Sequence, residues 1–103
     1  MVVDVDIDPN DDDDDYIYQV TDDRFFLVFR VNKGELAETR KAIIGLRVGE
    51  EAVFGTTGSG DRVWICRDKG AYCIAIGDTD SKDVSYKITK AEFNELIRSE
   101  PTE

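Results

Sequence analysis

The chain has 103 residues, 41% of them hydrophobic and 35% charged, and a formal net charge of −10. This length bounds it to one domain, or one domain with a tail, around a single modest core. The acidity argues against direct binding to nucleic acid or an anionic membrane surface, and no apolar run is long enough to cross a bilayer as a helix.

The charge is unevenly placed. Residues 1–15 carry eight aspartates and no lysine or arginine, a charge of −8. Residues 16–103 carry fifteen acids and all thirteen bases, a charge of −2. The sequence therefore divides into an acidic segment, 1–15, and a nearly neutral domain, 16–103. The start lacks the basic and apolar regions of a signal peptide, and a cytoplasmic protein is the expectation.

Taken in chain order, the first element is VVDVDID. Val3, Val5 and Ile7 alternate with Asp4, Asp6 and Asp8, the pattern of a strand with one apolar and one acidic face. Pro9 and Asn10 are suited to end it. Residues 2–8 read as an edge strand and residues 9–15 as an acidic loop, against the simpler alternative of a solvated tail. In a strand, Asp4, Asp6 and Asp8 share one face at intervals of roughly 6.6–6.8 Å. That is near the interval between successive phosphates of a nucleic-acid backbone.

YIYQV (16–20) and RFFLVFRV (24–31) are rich in aromatic and β-branched residues and read as a hairpin turning at Thr21-Asp22-Asp23. In the second strand Phe25, Leu27, Phe29 and Val31 share one face. Arg24, Phe26, Val28 and Arg30 share the other. Asn32-Lys33-Gly34-Glu35 has the form of a capping box before a short helix over 35–44, and Gly45 is a candidate stop. EEAVFG (50–55) reads as a strand followed by a Gly-rich turn.

RVWICR (62–67) and AYCIAIG (71–77) form the strongest hairpin signal. A three-residue turn at Asp68-Lys69-Gly70 sets Cys66 opposite Tyr72 and Cys73 opposite Ile65, with the thiols on opposite faces. A two-residue turn at Lys69-Gly70 sets the cysteines opposite each other, so their pairing depends on the turn type. Two reduced, partly buried thiols are the expectation. DTDSKD (78–83) reads as a polar loop, VSYKI (84–88) as a short strand, and Thr89-Lys90-Ala91-Glu92 as a capping box opening a helix over 90–99. The expected fold class is α+β: an antiparallel sheet of four to six strands, two helices packed on one face, and an acidic N-terminal strand or tail.

The chain has no histidine, the commonest general acid–base, and no G-x-S-x-G. GTTGSGD (55–61) lacks the lysine of a phosphate-binding loop. Cys66 and Cys73 have neither metal nor redox-motif spacing. The expectation is a non-enzyme without cofactor.

The acidic segment suits a basic protein partner, since clustered carboxylates steer association with a positive surface. The candidate contact residues are Asp4, Asp6, Asp8, Asp11, Asp12, Asp13, Asp14 and Asp15, with Tyr16 and Tyr18 adding apolar area. The expected role is inhibition or regulation of a nucleic-acid-handling protein by carboxylates that mimic phosphates. Immunity proteins for nuclease toxins and phage-encoded inhibitors of host defence offer an analogy of charge and size alone. The alternative is a calcium-binding module using Asp4, Asp6 and Asp8, although Pro9 replaces the turn glycine of an EF-hand loop and Asp15 its final glutamate.

Overall fold

The computed structural model describes residues 1–7, 15–78 and 82–99. Seven strands run in chain order as one antiparallel meander: β1 (Val2–Ile7), β2 (Asp15–Thr21), β3 (Phe26–Asn32), β4 (Glu51–Thr57), β5 (Arg62–Asp68), β6 (Ala71–Gly77) and β7 (Lys82–Ile88). Helix α1 (Leu36–Ile44) joins β3 to β4, and α2 (Lys90–Arg98) follows β7. The α+β class holds, with more strands than the four to six expected. The two outermost segments both join the sheet because each has an apolar side chain to bury: Val5 in β1 and Ile88 in β7.

Both helices lie against the inner face of the sheet and share its core. Leu36 and Ile43 from α1, and Phe93, Leu96 and Ile97 from α2, pack with Val5, Tyr18, Phe29, Phe54, Ile65 and Ile74. The ring of Tyr18 stacks on Phe29 at 5.3 Å between centroids, and Phe54 meets both edge-on at 5.1 and 5.2 Å. Tyr72 of β6 stacks on Phe93 at 3.8 Å and seats α2.

Sheet order alone does not give the shape. The start of β3 and the middle of β7 are four strands apart, roughly 19 Å in a flat sheet. Yet the rings of Phe25 and Tyr86 stack at 4.5 Å. The sheet therefore curls until the β2–β3 turn docks on its opposite edge. Arg24 fastens this closure. Its Nη1 donates to the carbonyl of Lys87, its Nε to Asp22 Oδ1 at 2.7 Å, and its Nη2 to Glu92 Oε2 at 3.4 Å. Lys87 lies on an edge strand, and capping its carbonyl removes one acceptor from further strand pairing.

Local chemistry explains the elements and corrects several expected boundaries. Reciprocal bonds between Asp22 and Phe25, 2.9 and 3.3 Å, place the hairpin turn at Asp23-Arg24, so Thr21 remains in β2. Asn32 remains in β3 opposite Asp15, so the expected capping box does not form. Its Oδ1 instead accepts from the Gly34 N–H at 2.9 Å, and Glu35 occupies the cap position without a side-chain bond. Ile44, at the end of α1, is exposed. The box at α2 is complete: the Glu92 N–H donates to Thr89 Oγ1 at 3.1 Å and the Thr89 N–H donates to Glu92 Oε1 at 2.9 Å. The β5–β6 turn takes two residues, Lys69 and Gly70, with Gly70 at φ +77°. This overturns the three-residue register: Cys66 faces Cys73, and neither is in a disulfide.

The ladder is incomplete between β3 and β4, which pair only at Phe29–Thr57 and Arg30–Thr56. A bulge between Val53 and Gly55 shifts the β4–β5 register there. The extra residue lets Phe54 turn into the core. Gly55 permits the close approach this requires, because an added Cβ would lie 2.4 Å from the Arg30 carbonyl oxygen and 2.7 Å from the Phe29 ring. Gly55→Ala should therefore cost about 1–3 kcal/mol through overpacking. Gly58→Ala, with open space around it, should stay within about 0.5 kcal/mol. Urea unfolding of the two variants checks the contrast.

The closure also titrates. Asp22 is held at about 2, below its ordinary 3.8, first by the side-chain hydrogen bond from Arg24 and then by the Arg24 backbone N–H, with burial opposing. A carboxylate whose pKa falls on folding stabilises the fold above the unfolded value and loses that contribution as pH falls through the folded value. Between about pH 4 and pH 2 the wild type should lose more stability than Asp22→Asn. Urea midpoints measured across that window should converge as pH falls; parallel profiles would contradict the assignment.

Candidate functional site

Alternation in β1 separates structure from surface. Val5 is buried, Val3 packs partly against the same core, and Ile7 is half-buried. The intervening side chains, Val2, Asp4 and Asp6, stand exposed on the outer face. Asp4 lies opposite Gln19 and Asp6 opposite Ile17. Their cross-strand neighbours carry no charge, and among the described residues neither aspartate forms an ion pair. Their charge is thus directed outwards rather than neutralised within the sheet. The expected edge strand forms over residues 2–7, and its two described aspartates share one face.

The other expected contact residues have different settings. Asp8, Asp11, Asp12, Asp13 and Asp14 lie outside the described residues. Asp15 opens β2, half-buried. It has the same parity as Ile17 and Gln19 and so belongs to the same outer face as Asp4 and Asp6. Tyr16 is half-buried against the core, with the Lys33 ammonium 5.4 Å from its ring centroid. Tyr18 is fully buried, with 0% of its surface accessible. Its ring is enclosed by Phe29 and Phe54, and its hydroxyl accepts from Arg40 Nη2 at 3.4 Å. The expectation that Tyr18 contributes contact area is therefore corrected: in this fold it is a core residue.

Two further features are not evident from the sequence. One is an apolar strip beside the aspartates. Phe26 is 64% exposed, Val2 57% and Val28 41%. Thr21 joins Val2 to Phe26 across the sheet, and Gln19 joins Asp4 to Val28. The alternation of RFFLVFRV shows that Phe26 and Val28 share a face, but gives no sign that nothing covers it. The other is a cleft of about 470 Å³ where β3 and β4 part. Asp15, Arg30, Asn32 and Glu35 contribute its polar lining and Val53 and Phe54 its apolar part. Only the broken ladder and the bulge create it, and no local pattern encodes either.

The outer face thus combines outward carboxylates and exposed apolar side chains along β1 to β3, beside a polar cleft where β3 and β4 part. Such a surface is suited to binding: apolar area can be desolvated at the centre of a contact while charges at its margin orient the partner. Among the described residues, no three of Cys, Asp and Glu are grouped to hold a metal ion. Of the calcium alternative's three ligands, Asp4 and Asp6 point outwards from a strand and Asp8 is outside the described residues. No family model, curated protein or solved structure matches the chain.

The separation of surface from core can be tested by stability alone. Asp4→Asn and Asp6→Asn should each change the unfolding free energy by less than about 0.5 kcal/mol. Tyr18→Ala should cost about 3–5 kcal/mol. Equilibrium urea unfolding distinguishes the two classes.

Proposed function

We propose that the protein is a non-catalytic inhibitor or regulator that binds a basic surface of a nucleic-acid-handling partner. The observation that carries this reading is the outward presentation of Asp4 and Asp6 from an edge strand, opposite uncharged neighbours, within a segment of charge −8. Alternate strand residues repeat at roughly 6.6–6.8 Å, so the carboxylates can occupy positions that phosphates take on a basic protein. Phe26, Val2 and Val28 lie next to them. This apolar strip favours a protein partner over a purely solvating role for the charge, because its burial adds affinity that aspartates alone lack.

The partner-binding set is then Asp4, Asp6, Asp8, Asp11, Asp12, Asp13, Asp14 and Asp15, with Tyr16 at its margin and no direct role for Tyr18. Deleting residues 1–15 is an unsuitable test, because it removes Val5 from the core. The full chain and a variant with all eight aspartates changed to asparagine should instead be compared as baits at low and high salt. We expect the wild type alone to retain a basic nucleic-acid-binding protein, to release it at high salt, and to inhibit its nucleic-acid binding or cleavage when the two are purified. Equal retention by the asparagine variant, or retention without inhibition, contradicts the assigned role.

A further inference from the structure

The outer face of β4 to β7 carries a row in which Glu51, Cys66, Cys73 and Lys87 stand directly opposite one another in turn. Both cysteines are reduced and half-buried, so small reagents can reach them. The Cys66 thiol donates to Glu51 Oε2 at 3.6 Å. The inward neighbours, Ile65 and Ile74, are fully buried on the other side of the sheet. The thiols therefore lie across the sheet from buried residues, but outside the core.

Backbone hydrogen bonds fix the kind of pair they form. Arg67 donates its N–H to the Glu50 carbonyl at 2.9 Å, and its own carbonyl accepts from the Gly49 N–H at 2.8 Å. Both backbone groups of Arg67 thus face the β4 side. Strand alternation then turns those of Cys66 towards β6, making Cys66 and Cys73 a hydrogen-bonded pair. The Cα atoms of such a pair stand about 5.5 Å apart, inside the range of roughly 4.4–6.8 Å that a disulfide spans. The Cβ atoms begin at the long end, about 5.5 Å, whereas a disulfide needs about 3.5–4.5 Å. Closing the bond requires the strands to draw together locally, and a disulfide strained in this way is readily reduced.

We propose that Cys66 and Cys73 form a reversible redox dithiol, oxidised by a low-molecular-weight disulfide to a cross-strand bond and reopened by the corresponding thiol. One protein thiol loses its proton and attacks a sulfur of the small disulfide, expelling one thiolate and leaving a mixed disulfide. The second, also deprotonated, attacks the protein-bound sulfur and expels the other thiolate. Two S–H bonds are lost from the protein and one S–S bond forms. The two released protons leave with the two small thiolates, and the two electrons lost by the protein reduce the reagent. The Glu51 carboxylate, already accepting from Cys66, is placed to take that proton first.

The test uses the folded full chain with oxidised glutathione, followed by alkylation and intact mass measurement. We expect both thiols to disappear together with the loss of two hydrogens and no retained glutathione. Cys66→Ser and Cys73→Ser should each stop at the mixed disulfide. Reduced glutathione should then restore both thiols in the wild type, with the near-ultraviolet circular dichroism preserved throughout. Persistent mixed disulfides on the wild type, interchain dimers, unreacted thiols, or reaction only in denaturant would each overturn the proposal. A cross-strand bond that resists reduced glutathione would overturn its reversibility.

Discussion

The packing of Phe54 against Tyr18 and Phe29 is the constraint around which this sheet is arranged. Phe54 belongs to β4, and the three rings meet within 5.1–5.3 Å between centroids. A regular strand passing β3 does not deliver it there. The bulge between Val53 and Gly55 supplies the extra residue, and the bare Cα of Gly55 accepts contact with the β3 backbone. The β3–β4 ladder is reduced to two pairs as a consequence, and the cleft lined by Asp15, Arg30 and Glu35 occupies the resulting gap. Core packing and surface shape thus have one cause. An interior close-packed around aromatic rings transmits its geometry outwards through the backbone.

The same economy governs the closure. A seven-stranded meander leaves two edges and a broad inner face. Curling brings the β2–β3 turn against β7, and the helices fill what remains. Arg24 joins three elements through one guanidinium, bonding Asp22 in its own turn, the Lys87 carbonyl on β7 and Glu92 on α2. Glu92 also completes the cap of α2. On the far side of the core, Arg40 of α1 donates both to the Tyr18 hydroxyl and to the Ser99 carbonyl beyond α2. Apart from the local Arg24–Asp22 bond and the Thr89–Glu92 cap, these links join segments that the chain keeps far apart.

The acidic strand shows how a segment can be both structural and presentational. Val5 commits β1 to the core, and strand alternation then requires Asp4 and Asp6 to face outwards. This is why the opening residues cannot be treated as a detachable charged tail. Much of the fold was legible here and elsewhere in the sequence: the two-residue period of VVDVDI, the paired runs around Lys69-Gly70, and the Thr89–Glu92 box all appear where local patterns place them. The failures are also instructive. The Asn32 box fails because strand pairing with β2 holds Asn32 extended. Tyr18 reads as a contact residue because it follows the acidic run and tyrosine is enriched at interfaces, whereas alternation identifies two faces without naming which is inside. The thiols followed the turn, and Gly70 suits either turn length.

The chain's own residues dictate the division of charge, the α+β class, most strand positions and the placing of Asp4 and Asp6 on one face. These follow from composition and from periods of two and 3.6 residues, which are local properties of the chain. Tertiary structure decided that all seven strands join one curled sheet, that Tyr18 lies inside, that Phe26 and Val28 stay uncovered, and that Cys66 meets Cys73. Those outcomes depend on which distant surfaces compete for the same buried volume and on the register of neighbouring strands. A shift of one residue in register exchanges the two faces of a strand, and only the packed structure selects between them.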